Sequence, residues 1–314
     1  MHEQVTELLV EVSGRALWQW WQDARQQAAI AHIPPFEIEW LLREAAGLNR
    51  LPLYSGAIRH QEKVLLKLPL EELTRLWQRR LEDRVPVQYL TGVAPWRQFS
   101  LTVSPAVLIP RPETELLVDL AIAATAKTPK LRQGHWADLG TGSGAIALGL
   151  SITFPLATVH AVDCSAEALA IAQTNAQQYS LTDRIRFHHG DWFQPLVSLK
   201  GTLSGLISNP PYIPSQTVSE LQPEVTKHEP QLALDGGVDG LNSIRHLIDT
   251  APDYLQSGGI WLIEMMAGQA QTVATLLHQH GCYQDIQIHK DLAGIERFAQ
   301  ARKKEEEIRN EKFL

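Results

Sequence analysis

Several things are scarce in this 314-residue chain, and each scarcity removes a class of function. Cysteine occurs only at Cys164 and Cys282. No metal-ligand spacing joins the two, so neither a disulfide framework nor a thiolate metal site is implied, and a reducing cytosol suits the chain. No apolar run is long enough to span a membrane, and Met1-His2-Glu3-Gln4 lacks the basic segment of a secretory leader. The expectation is a cytoplasmic protein. Basic charge is not in surplus either. A formal net charge of -7 argues against an extensive grip on nucleic-acid phosphates, though not against a basic protein partner. The histidines are scattered, and the adjacent His188 and His189 point two ways on a strand, so no metal site is expected.

What is present divides the chain. Residues 1–85 read as a small helical bundle, from apolar residues at helical spacing: Leu8, Leu9, Val12, Leu17 and Trp18; Ile38, Leu41, Leu42 and Ala45; Leu70, Leu73, Leu76 and Trp77. Arg75, Arg79 and Arg80 are placed on the wetter side of the last helix. Trp20, Trp21 and Trp40 read as core or partly buried aromatics. Residues 86–110 form a linker and a β-hairpin, with strands Phe99–Val103 and Ala106–Ile109 turning at Ser104-Pro105. A β/α alternation marks 111–300 as a second, larger domain, beginning with a helix through Leu116, Leu117, Leu120 and Ala121. The charge-rich 301–314 reads as a solvated helix or loose tail.

Two motifs in the alternating region carry chemistry. Trp136-Ala137-Asp138-Leu139 reads as a strand, followed at once by Gly140-Thr141-Gly142-Ser143-Gly144 and a helix from Ala145. Alternate glycines let a ligand approach the backbone and expose amides at a helix N-terminus. Gly140, Gly142 and Ala145 also fit a dinucleotide fingerprint, so on the loop alone a nicotinamide enzyme stays open. Asp138 separates the readings. A carboxylate at the strand's mouth would repel a pyrophosphate and attract the ammonium of S-adenosylmethionine. A second strand, Ala157–Asp163, ends in an acid placed for ribose hydroxyls. A third, Ile185–His189, leads to Asp191 for the adenine amine and Trp192 for its ring. Helix capping would account for either of Asp138 and Asp163 singly, and core packing for Trp192. Four such features at successive strand ends favour a cofactor site.

The second motif, Asn209-Pro210-Pro211-Tyr212, follows the short apolar strand Gly205–Ser208. Two prolines force a fixed loop there. The Asn209 side-chain oxygen and the Pro210 carbonyl are acceptors for a planar NH2 group, and Tyr212 is placed to lie against it. A plain turn begun by Asn-Pro is the simpler alternative.

Together these segments resemble the HemK/PrmC family. The resemblance is carried by Pro86-Val87-Gln88-Tyr89-Leu90-Thr91-Gly92, Leu108-Ile109-Pro110-Arg111-Pro112-Glu113-Thr114-Glu115, Asp138 to Gly144, Asn209 to Ile213, and His228-Glu229-Pro230 with Ala233-Leu234 and Gly236-Gly237-Asp239-Gly240. It implies an α/β fold: a seven-stranded Rossmann-like methyltransferase sheet after a helical substrate-recognition region and a hairpin. It also implies transfer of methyl from S-adenosylmethionine to the glutamine amide nitrogen of a Gly-Gly-Gln loop in peptide chain release factors. Gly140, Thr141, Gly142, Ser143, Gly144, Asp163 and Trp192 would hold the cofactor, with Asn209 touching both ligands. Asn209, Pro210, Pro211 and Tyr212 would hold the amide. Rival readings are an adenine-N6 methyltransferase of DNA or RNA, where the same loop clamps a flipped base, and a cofactor-binding scaffold without turnover.

Overall fold

The computed structural model describes residues 9–48 and 51–305. They cluster into two compact units. One comprises the chain up to Val93 together with Pro223–His228; the other comprises Ala94–Gln222 and the residues from Glu229 onward.

In the first unit, a short strand β1 (Val10–Val12) precedes helices α1 (Gly14–Ile30), α2 (Phe36–Glu44) and α3 (Leu51–Tyr54). Strand β2 (Val64–Leu66), α4 (Leu70–Glu82) and α5 (Val87–Thr91) follow. The helix expected to include Leu9 and Val12 is corrected here, and Leu8 lies outside the described residues. Val10–Val12 pairs antiparallel with Val64–Leu66. Ser13, whose hydroxyl accepts from the Ala16 amide, caps α1 and stops it extending backward. Leu17, Trp21, Leu41, Leu42, Leu73 and Trp77 fill the core of this unit. Trp20 and Trp40 are part-buried and donate their indole N–H groups to Thr74 and Thr91.

Arg80 is a second correction. Far from lying on a wet face, it is 3 % exposed. Its guanidinium forks onto both Glu37 oxygens at 2.5 and 3.0 Å and reaches Glu224 at 2.8 Å. Two carboxylates outweigh the desolvation of one cation only when bonded this closely, which is why an arginine tolerates the site.

The hairpin expected over Phe99–Ile109 is shifted. Its strands are β3 (Val93–Trp96) and β4 (Phe99–Thr102), joined through Arg97-Gln98 with Arg97 at a φ of 49°. Residues Ala106–Ile109 form no strand. Pro105 and Pro110 lack the amides a ladder needs, and Ser104 folds the segment into a tight turn, its hydroxyl accepting from Ala106 N and its carbonyl from Val107 N.

After α6 (Leu116–Ala124) the chain alternates through β5 (His135–Leu139), α7 (Ala145–Thr153), β6 (Thr158–Asp163), α8 (Ala166–Gln178), β7 (Ile185–His189) and β8 (Leu203–Ser208). Two short helices, α9 (Ser215–Val218) and α10 (Pro223–His228), lead to α11 (Asn242–Tyr254), β9 (Leu255–Glu264), α12 (Ala270–His280), β10 (Tyr283–Lys290) and β11 (Glu296–Lys303). The sheet order is β10-β11-β9-β8-β5-β6-β7. Its strands are parallel except β11, which runs antiparallel to both neighbours. The expected α/β class and seven-stranded sheet are thus observed. The tail reading is corrected in part, because Ala301–Lys303 closes β11; residues 306–314 lie outside the described chain.

Every residue of β8 is buried, as a central parallel strand requires. Gly205 within it is demanded by close approach, since a Cβ there would stand 2.3 Å from the Trp136 ring. Leu117, Val118, Leu148 and Trp136 pack in one core layer, and Leu206, Ile244, Leu247, Trp261 and Val273 in another. Strand β5 therefore lies deep inside, and what projects beyond its carboxyl end is held rigidly.

Candidate active site

Strand order reverses about β5, whose neighbours are β6 and β8. That is the place where open α/β sheets bind ligands. A cavity of about 420 Å³ opens there, in the usual range for a small-molecule site. Gly140, Thr141, Gly142 and Ser143 line it from the β5 end, Asp163 from β6, Asp191 and Trp192 from beyond β7, and Asn209 and Pro211 from beyond β8. The turn Pro105–Leu108, with Arg111 and Thr114, closes another side. Four successive strand ends thus meet at one space, as their sequence positions implied.

The glycine loop is fastened from within. The Gly140 and Thr141 amides both donate to Val162 O at 2.9 Å, and Gly142 N donates to Asp163 Oδ2 at 2.9 Å. The other Asp163 oxygen accepts from Ser165 N at 2.9 Å. Asp163 consequently shapes the loop as well as facing the cavity. Gly142 has a φ of 54°, and a Cβ there would meet no atom within 4 Å, so the loop presents bare backbone to open space. Trp192, at a φ of 47°, brings its ring edge to 3.9 Å from where a Gly140 Cβ would stand.

Asp138 departs from expectation. It is fully buried and does not line the cavity. Its Oδ2 accepts from Thr141 Oγ1 at 2.6 Å and from Ala147 N, in the first turn of α7, at 3.0 Å. The capping role weighed for it is the one the geometry supports, because a carboxylate behind a strand end meets the positive end of the following helix. Burial pushes its pKa up to about 7 against the opposing pull of those two bonds. Gly144 also lies outside the cavity lining; its amide bonds to Thr141 O at 2.8 Å and its backbone packs against Ala172.

Beyond β8, Asn209 Nδ2 donates to Thr114 Oγ1 at 3.2 Å, and Thr114 Oγ1 donates to Glu264 Oε2 at 2.6 Å. The Tyr212 hydroxyl donates to the other Glu264 oxygen at 3.0 Å. Tyr212 and the buried Pro210 do not line the cavity. Burial, then the nearby Glu264 charge, raises the Tyr212 pKa far above its ordinary range, so the hydroxyl stays a donor. Glu264 is 2 % exposed. Burial raises its pKa too, opposed by its bonds to Thr114 and Tyr212. Gln269 pins the same loop, its amide nitrogen bonding Tyr212 O at 3.0 Å and Gly240 O at 3.2 Å. Ile213 exchanges backbone bonds with Leu234 and Gly236. Arg111 grips both oxygens of the buried Glu229 at 2.7 and 2.8 Å.

Sequence reasoning missed Glu264, Gln269 and the Arg111–Glu229 pair. A signal for Glu264 was present: like Asp163, it is an acid ending an apolar strand. His188 and His189 do diverge, one to His160 Nδ1 and the other to Cys164 O, each at 3.0 Å. Among the described residues no helix is long and apolar enough to cross a membrane.

Comparison with known proteins bears on the same segments. Residues 17–92 match the PrmC N-terminal domain family and residues 114–237 the methyltransferase small domain family. A release factor glutamine methyltransferase of Synechocystis sp. is 53 % identical over 292 residues, covering 93 % of this chain and 97 % of that protein. One from Thermosynechococcus vestitus is 51 % identical, covering 91 % and 98 %, and one from Coxiella burnetii is 37 % identical, covering 89 % and 96 %. Among solved structures, the hMettl16 catalytic domain in complex with a MAT2A 3'UTR hairpin aligns at a TM-score of 0.52 and 13 % identity, covering 74 % of this chain and 80 % of that one. The last is a likeness of fold alone.

Proposed function

We propose the function from one premise: this chain belongs to the release factor glutamine methyltransferase family. It methylates the side-chain amide nitrogen of the Gly-Gly-Gln glutamine in peptide chain release factors, with S-adenosylmethionine as methyl donor. The observation that carries this reading is the position of Asn209, on the wall of the same cavity that the glycine loop, Asp163 and Trp192 line. One side chain there can serve donor and acceptor together.

The residues present fit that donor. The bare backbone at Gly142 leaves room for close approach, and Asp163 retains acceptor capacity for ribose hydroxyls beside its two amide bonds. Asp191 and Trp192 supply an acceptor and a flat ring for an adenine. A pyrophosphate fits poorly. The Gly140, Thr141, Gly142 and Ala147 amides are committed inside the protein, and the Asp138 carboxylate already occupies the anion-favouring start of α7. When bound, S-adenosylmethionine supplies a methyl group on a cationic sulfur.

An amide nitrogen is a poor nucleophile because its lone pair is delocalised into the carbonyl. Asn209 Oδ1, on the cavity wall, accepts one of its N–H groups and fixes its plane, turning the nitrogen's face toward the methyl. The same oxygen favours the positive charge that grows on nitrogen as the new bond forms, and one N–H proton then leaves to water. Alignment of this kind supplies up to ~7–11 kcal/mol, so no side-chain base is needed.

The helical unit, including Pro223–His228, is the part we assign to recognition of the folded release factor. A glutamine loop offers little surface, and a specific protein interface buries on the order of 1,200–2,000 Å². The full-length enzyme should accordingly show a much higher kcat/KM on intact release factor than on a short Gly-Gly-Gln peptide; equal values would remove that assignment. The function itself is tested by offering release factor, duplex DNA and single-stranded DNA as methyl acceptors. Label on nucleic acid and none on release factor would favour the adenine-N6 alternative.

A further inference from the structure

Asn209 can accept from a substrate N–H only if its oxygen, not its nitrogen, faces the cavity. A planar amide is almost symmetric in shape, so packing alone does not choose between the two orientations; hydrogen-bond polarity does. The nitrogen end meets Thr114 Oγ1 at 3.2 Å. A hydroxyl has one proton, and that of Thr114 is drawn to Glu264 Oε2 at 2.6 Å. What Thr114 then offers Asn209 is a lone pair, which only the NH2 end of the amide can use. Glu264 is the origin of this polarity. Its carboxylate is an acceptor at both oxygens, with Thr114 on one and the Tyr212 hydroxyl on the other. It stands at the end of β9, buried to 2 % exposure.

We infer that Glu264 is a positioning residue which, through Thr114, orients the Asn209 amide so that its oxygen faces the substrate, and through Tyr212 holds the far end of the same loop. The inference rests on the glutamine-amide reading of the site. Glu264 touches neither ligand. It converts a fixed buried carboxylate into a fixed direction of hydrogen bonding two residues away. Were the relay inverted, Asn209 would present two donors to a substrate group that is itself a donor, and the acceptor loop would repel the group it must hold. Among the described residues, Gln269 and the Gly236–Gly240 segment hydrogen-bond the backbone of this loop and not the Asn209 side chain, so they leave its orientation to Thr114 and Glu264.

The test is a series in the full-length enzyme: Thr114→Val, Thr114→Ser and Glu264→Gln. Each is assayed for methyl transfer to release factor and, by calorimetry, for S-adenosylhomocysteine binding. Thr114→Val keeps the shape but removes both roles of the hydroxyl. It should lower kcat about 10- to 100-fold, by analogy with the loss when the partner that orients a metal-ligating side chain is removed. S-adenosylhomocysteine affinity should stay within about threefold, which also verifies that the variant folds. Thr114→Ser, which restores the hydroxyl, should recover most of the lost kcat. Glu264→Gln replaces the carboxyl group that accepts from Thr114 and Tyr212 by an amide, one end of which can only donate, and should lower kcat with the same sparing of product affinity. Wild-type-like kcat in Thr114→Val and Glu264→Gln would overturn the inference while leaving the functional reading intact. An equal loss in Thr114→Ser and Thr114→Val would also overturn it, since restoring the hydroxyl would then recover nothing. A wild-type enzyme inactive on release factor would overturn the reading itself, and the inference with it.

Discussion

On the wall of the cavity that carries the glycine loop, the groups holding the backbone come from nearby in the chain. Asp138 bonds Thr141 and Ala147, and Asp163 bonds Ser165 and, across one parallel strand pair, Gly142. On the wall that carries Asn209, they come from far away: Thr114 lies 95 residues before it, and Glu264 reaches Tyr212 across 52 residues and Thr114 across 150. Both walls end in a buried carboxylate that accepts two hydrogen bonds. The cofactor wall is a local device that many sequences can reproduce; the acceptor wall exists only once the whole sheet has assembled. The chain that fixes the acceptor is therefore the part that can be specific to one chemistry.

If the two walls divide the work in this way, substitutions on them should separate in kinetics. The largest effect is expected at Asn209. Asn209→Ala removes an acceptor that acts as charge develops, and kcat should fall by of order 10²–10³, a larger loss than that in S-adenosylhomocysteine affinity. Near-normal turnover would erase the distinction between the walls. Asp163→Ala is the complement. Losing a charged acceptor costs ~1.5–3 kcal/mol, or roughly 10- to 150-fold in S-adenosylmethionine affinity by calorimetry. Because Asp163 also holds Gly142 N, the larger value is favoured. Unchanged binding in a folded variant would remove Asp163 from the cofactor site.

The same contrast explains what could be read from the sequence. The strands at 135–139, 158–163, 185–189 and 203–208 were legible because apolar runs ended in recognisable residues: Asp138 before glycines, Asp163, Asp191-Trp192, Asn209-Pro210. Those signals are written within a few residues of where they act. The role of Asp138 was misplaced because the position of an acid in the sequence does not reveal which side of the strand end it occupies, and in the fold it lies behind the loop. Arg80 was misplaced for a related reason. A helical pattern places a residue on a face, but whether that face is wet depends on Glu37 and Glu224, the latter 144 residues away. The hairpin lies earlier in the chain because Pro105 and Pro110 have no amide to give a ladder, whatever the alternation of apolar residues around them. Glu264 was overlooked although the strand before it was seen, since its partners Thr114 and Tyr212 come from other parts of the chain.

A smaller effect tests the buried Asp138. With its pKa raised from 3.8 to about 7, it keeps a proton in the folded state that the unfolded chain has already released. Its contribution to stability is fully present below pH 3.8 and is lost as pH rises toward about 7. His160 runs the other way. Burial, and then the neighbouring His188 and His135, lower its pKa from 6.5 to about 4, so its contribution is full above 6.5 and is lost as pH falls toward about 4. Asp138→Asn removes the first slope and leaves the second. The urea midpoint of the variant should therefore climb more steeply than that of the wild type between pH 4 and 6.5. Parallel pH profiles would mean that Asp138 titrates as an ordinary carboxylate and is not held as tightly as its burial implies.

The most direct measurement is to locate the methyl group. Release factor incubated with the full-length enzyme and S-adenosylmethionine, digested and sequenced by tandem mass spectrometry, should carry a single methyl on the glutamine of its Gly-Gly-Gln loop, on the side-chain amide nitrogen, and none when that glutamine is replaced. A methyl on any other residue, or an unmodified release factor under conditions where the enzyme binds S-adenosylmethionine, would contradict the account.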